Sequence, residues 1–254
     1  MPTHHPPPSL HELAAAHSLP DHQSMDASTL AWIAANPPPP APHEPLLVAE
    51  DPLLLVPHPA WFADPHLADS LHGIQHGARV SVLACLLARE HGLDREHTAA
   101  LCTAATVHDC RRHNDRADPG HGQRAGSWFA EHADTVLAAF GQDLSQSARA
   151  EAATAIAVHD LPYDAFPSEH RAAYQRAPHL ADLLKAADTL DRYRLPLQRW
   201  WPDASHLRIA VPDWLYPIAH RLVVRSEQAR LTGADHHSAL THALTTLFAG
   251  DTRA

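Results

Sequence analysis

"ATVHDCRRHND", residues 105–115, closes an Ala/Leu-rich segment with a His-Asp pair, two arginines, a second histidine and a second acid. Reading back from the pair, Leu101, Ala105 and His108 recur at i, i+4 and i+7, so one helical stripe ends on an imidazole with Asp109 beside it. The pattern returns elsewhere. His76 heads a stripe with Val80, Leu83 and Leu87; Ala152, Ala155 and Ile156 lead to His159; Leu180 and Leu184 lead to Asp188. Burying such polar groups singly costs roughly 1–3 kcal/mol each, and more for a carboxylate. Gathering them around a divalent cation removes that cost. Imidazole with carboxylate and no thiolate suits a borderline or hard ion and argues against a structural zinc site.

Working outward, helical periodicity predicts helices over 67–91, 95–112, 121–140, 146–160, 177–194, 214–230 and 236–248. Gly92, Gly141 and Gly233 stand where helices should stop, and Asp94 and Ser145 are N-cap candidates. The segment "HLRIAV" (206–211) is a short strand candidate in an otherwise all-α pattern. Residues 1–66 are proline-rich and read as an extended arm or linker. Ser9 with Glu12 forms a capping-box pattern, and "DASTLAWIAAN" is a second short helix candidate. The main helical domain is expected over 67–250.

The chain has 254 residues and a formal net charge of −10. That balance disfavours a broad nucleic-acid surface and leaves room for a local phosphate pocket. Histidines number 24, so most need no function, and Lys185 is the single lysine. Cys85, Cys102 and Cys110 include no Cys-x-x-Cys pair, so neither a disulfide framework nor a zinc ribbon is indicated. No secretory signal and no membrane span is read, and a cytoplasmic protein is expected. Oligomeric state is not legible.

The ordered set "SLHGIQHGARV" (70–80), "HDCRRHNDRADPGHGQRAG" (108–126), "AVHD" (157–160) and "LLKAADTLDRYR" (183–194) resembles the HD-domain superfamily of metal-dependent phosphohydrolases, in a bacterial branch. The likeness covers residues 67–195 and implies an HD-type helical bundle. It implies His76, His108, Asp109 and Asp188 as ligands of a divalent metal (Mn, Fe, Co, Ni or Mg). His121 and His159 occupy the places where some branches add two ligands and a second ion. Spacing alone allows His72 as readily as His76, since four residues separate them; the "H-x-x-R-V" context of the resemblance favours His76 and leaves His72 as a pocket residue or proton donor. Asp191, a turn beyond Asp188, is expected to brace Arg194 or Arg192.

The resemblance implies hydrolysis of a small phosphorylated substrate (a nucleotide, cyclic nucleotide or phosphomonoester) by metal-activated water. Asp109 would ligate the ion and take the water's proton. Arg79, Arg112 and Lys185 are candidates for neutralising phosphate, and His72 or His113 for protonating the leaving group. Trp200 and Trp201 either stack on a base or pack; His237 and His242 read as solvated; Cys110 reads as a small packed group. Two other readings share the fold: a diiron oxygenase, and a non-catalytic metal- or ligand-binding sensor module.

Overall fold

The computed structural model describes residues 7–43, 54–176 and 178–248. Among the described residues ten α-helices run in chain order: α1 (Leu10–Ala15), α2 (Ala27–Ala35), α3 (Ile74–Glu90), α4 (Arg95–Val107), α5 (His121–Ala139), α6 (Gln146–Val158), α7 (Ser168–Arg176), α8 (Pro178–Leu190), α9 (Leu215–Leu231) and α10 (His236–Phe248). Short 3-10 turns join them, among them Pro65–Asp69, Asp191–Arg194 and Gln198–Trp200. No strand occurs among the described residues, so "HLRIAV" is irregular and the fold is all-α. No helix among them is long and apolar enough to cross a membrane.

Local chemistry accounts for many helix ends. Ser9 and Glu12 form the reciprocal capping box, and Asp94 and Ser145 accept the His97 and Ala148 amides at the starts of α4 and α6. Gly92, Gly141 and Gly233 take positive φ just past α3, α5 and α9, a conformation that L side chains resist. α3 packs on α4 and α8, α4 on α6, and α6 on α8; α5 lies against α6, while α9 and α10 cover α3. Leu83, Leu87, Leu101, Ile156, Leu183 and Leu184 fill the space between the four central helices.

Several expected helices shorten where site residues lie; α6, for one, stops at Val158 just before His159. α3 begins at Ile74, not 67, because Asp64 caps a separate 3-10 turn and Gly73 follows it. α4 stops at Val107, since the His108 ring takes the Ala105 carbonyl and turns the chain. The segment expected over 177–194 is α8 followed by the 3-10 turn Asp191–Arg194. α7 has no counterpart in the expected helices.

The described part of the arm packs on the core. Leu30 and Ile33 of α2 are buried, and the His220 ring of α9 reaches the Ile33 carbonyl at 2.9 Å. His11 stacks on Trp32 with ring centroids 4.1 Å apart.

Gly77 shows how closely α3 and α4 approach. A Cβ there would collide with the Thr106 carbonyl oxygen, which is backbone and cannot swing aside. The Gly77→Ala protein is expected to lose about 1–3 kcal/mol of stability. An unchanged urea midpoint would contradict this packing.

Candidate metal centre

The packing brings the polar ends of the stripes to one end of the central helices. His76 lies in the first turn of α3, His108 caps α4, His159 caps α6, Asp188 closes α8 and His121 opens α5. The carboxyl ends of α4, α6 and α8 carry partial negative charge, which favours a cation there. His76 and His108 are fully buried; Asp109, His121 and His159 are nearly so.

Four imidazoles are held in the same sense. The Nδ1 atoms of His108, His159 and His121 each lie 2.7 Å from a backbone carbonyl, those of Ala105, Ile156 and Asp118. A carbonyl only accepts, so each Nδ1 carries a proton and each ring turns its Nε2 inward. His76 does the same against the Asp191 carboxylate, with Nδ1 2.8 Å from Oδ2. Those inner nitrogens face one another: Nε2 of His76 and His108 are 3.1 Å apart, and those of His121 and His159 are 3.2 Å apart. Facing lone pairs repel unless a cation or proton lies among them.

The carboxylates complete the arrangement. Asp109 Oδ1 is 3.0 Å from His121 Nε2 and 3.3 Å from His159 Nε2, while its Oδ2 is 3.4 Å from His76 Nε2. Oδ1 is buried and makes no hydrogen bond. Asp188 Oδ1 lies 3.4 Å from His76 Nε2 and 3.7 Å from His108 Nε2. Burial resists ionisation of Asp109, but Arg112, His108 and His121 outweigh it and hold the carboxyl well below the usual carboxylate range. Asp188 is held low in the same way, against burial, chiefly by His108. Three sets of ligand atoms could hold a metal: His72–His76–Asp109, His76–His108–Asp188 and His108–Asp109–His159, each set within 4.8 Å. A buried carboxylate oxygen without a hydrogen bond, amid inward-facing imidazole nitrogens, fits a divalent ion.

All six expected ligands therefore meet, and Asp109 stands between the His76–His108 and His121–His159 pairs. His72 is not on the α3 face; it lies in the turn before the helix, with Nδ1 2.7 Å from Asp109 Oδ2. Burial and the Arg194 cation push its imidazole well below the ordinary value, so the ring is neutral.

Several expected roles change. Arg79 does not face a substrate space. It is fully buried, with Nε 2.7 Å from Asp191 and Nη1 2.6 Å from Glu227. Lys185 also turns away, its Nζ donating to the carbonyls of His159 and Leu161 over the Tyr163 ring. His113 is exposed and lines a separate depression with Arg111 and Arg124. Arg112 stays near the cluster, with Nη1 3.2 Å from His121 Nε2 and 3.7 Å from Asp109. Cys110 is packed in the core, and burial pushes its thiol up. Trp201 joins Trp32 and Tyr193 in an aromatic cluster, whereas Trp200 lines a cavity beside Asp188. His237 and His242 are exposed.

The sequence reading missed the work of Asp191. Its main partners are Arg79 and His76, with Arg194 further off at 3.7 Å. The available signal was its place three residues beyond Asp188, on the turn that continues α8 toward α3. A carboxylate on the remote nitrogen of a ligand imidazole fixes the ring and raises its basicity. Asp191→Asn is accordingly expected to weaken manganese binding about 10–100-fold. Titration calorimetry on the folded variant checks this, and wild-type affinity would refute the positioning role.

Fold and site together define an all-α protein with a buried His/Asp cluster that could hold a metal ion. No family model, curated protein or solved structure matches the chain.

Proposed function

We propose that this chain is a metal-dependent hydrolase of phosphate esters. The observation that carries the reading is the Asp109 carboxylate, buried amid four inward-facing imidazoles and opening, through His72 and Asp188, onto a cavity lined by arginines. His76, His108, Asp109, Asp188, His121 and His159 would hold one or two divalent ions. When bound, such an ion supplies Lewis acidity and lowers the pKa of attached water.

The chain's own groups supply the rest. Asp109 is placed to accept the proton of an attacking water on Oδ2, the oxygen that His72 touches. Neutral His72 touches Asp109 and lines the cavity, so it can pass that proton toward a leaving oxygen. Arg112 lies beside both the cluster and the cavity and offers charge to phosphate oxygens.

The position of Asp109 between two imidazole pairs also favours a second reading, a diiron oxygenase. One experiment separates the two. The purified chain is assayed for bound metals, loaded with manganese or iron, and screened for phosphate release from nucleotides and phosphomonoesters and for oxygen uptake. Metal-dependent phosphate release that disappears in His108→Ala supports the hydrolase. Oxygen uptake with iron and no phosphate release moves the assignment to the oxygenase. Neither turnover nor bound metal refutes both.

A further inference from the structure

We propose, resting on the hydrolase reading, that the N-terminal arm is a wall of the substrate pocket and that Arg194 grips the phosphate of a phosphomonoester with a ring-bearing leaving group. A cavity of about 750 Å³ adjoins the cluster. Its inner side carries His72, Asp188, Arg112 and Arg194; Ala14, His17, Leu19 and Gln23 of the arm line it too.

The arm is tied to the site through its backbone. The Asp115 amide donates to the Asp21 carbonyl, the Gln23 amide to Asp115 Oδ2, and the Leu71 amide to the Gln23 carbonyl, each at 2.7 Å. These bonds join the arm to the residue before His72 and to the loop after Arg112. Asp115 is itself buried and takes a further bond from Ser70 Oγ. His11 Nδ1 lies 2.7 Å from the Pro196 carbonyl, next to the cavity residue Leu195. His17, on the cavity, has φ 55° and stands alone among described non-glycine residues in the left-handed region. It is the left-handed residue that closes α1, where the Ser18 amide donates to the Leu13 carbonyl at 2.9 Å.

Arg194 supplies the evidence for an anion. It is 2% exposed and lines the cavity. Nε donates to the Leu71 carbonyl at 2.9 Å and Nη2 lies 3.1 Å from His72 Nδ1. Nη1 is buried without a hydrogen bond. The nearest acid to Nη1 is Asp191, whose Oδ2 lies 3.7 Å away, and where the guanidinium borders the cavity its donor fork matches an oxyanion such as phosphate. Arg116 and Arg192 add positive charge to the same lining. The volume far exceeds one phosphate group, and Leu19, Leu195 and Trp200 offer apolar surface for a flat organic remainder.

Phosphonates test this without turnover. Binding of methylphosphonate and phenylphosphonate to the full manganese-loaded chain is measured by calorimetry. Phenylphosphonate should bind at least about tenfold tighter, through the apolar wall. Arg194→Gln should weaken both by about tenfold or more, with Arg194→Lys recovering part. Leu19→Trp, on a half-exposed part of the arm, should erase the phenyl preference by filling its space, and it keeps the test decisive if Arg194→Gln does not fold. Equal affinity of the two phosphonates in the unaltered chain, wild-type binding by Arg194→Gln, or a phenyl preference that survives Leu19→Trp overturns the proposal. Arginine-dependent binding without hydrolysis of any ester would instead sink the hydrolase reading and leave the pocket standing. Phosphate release with unchanged KM and phosphonate affinity in Arg194→Gln would do the reverse.

Discussion

The Asp109→Asn protein is expected to fold, to bind manganese far more weakly, and to lose phosphomonoester hydrolysis by at least on the order of a hundredfold. Asparagine keeps the shape of the side chain and removes its charge. The carboxylate reaches His121 and His159 through one oxygen and His72 and His76 through the other, so one substitution strikes both halves of the cluster. The amide would also set two N–H donors among imidazole nitrogens that face inward. Elemental analysis with circular dichroism and phosphate release checks the result. A folded Asp109→Asn protein with normal metal content and turnover would remove Asp109 from the chemistry.

Arg79→Met carries the largest expected effect on stability. Arg79 is buried between Asp191 and Glu227, which are themselves buried. Removing the cation strips both carboxylates of their closest counter-charge, a loss of about 3–5 kcal/mol. Chemical denaturation reads it directly. The triple variant Arg79→Met with Asp191→Asn and Glu227→Gln should lose much less than the sum of its parts, because the penalty comes from unpaired charge. A near-wild-type denaturation midpoint for Arg79→Met would show that Arg79 is dispensable as a brace and reopen a role for it with phosphate.

The contrast between Arg79 and Arg194 marks where sequence reading stops. Both lie within the resemblance, and both are arginines close to an expected ligand. Arg79, in the first half of α3, was expected at phosphate and serves as an internal counter-ion; Arg194, expected as a partner for Asp191, lies 3.7 Å from it and also lines the cavity. Which carboxylate meets which guanidinium depends on how α3, α8 and α9 stack. Periodicity within one helix carries no information about that stacking. Likewise Lys185 lies one turn from Asp188 on paper, yet its ammonium points to the end of α6.

The all-α class, the stripes ending on His76, His108, His159 and Asp188, and the helix stops at Gly92, Gly141 and Gly233 were settled by the order of residues alone. These are local properties, set by a 3.6-residue period, by capping and by the cost of positive φ. The chain fold decided the rest: the meeting of four imidazoles from different helices, the place of Asp109 between two pairs, and the seating of a proline-rich arm against the cavity. Those features join residues as far apart as Gln23 and Asp115 or His76 and Asp191. They arise from packing and hydrogen bonding between distant segments, and no local pattern encodes them.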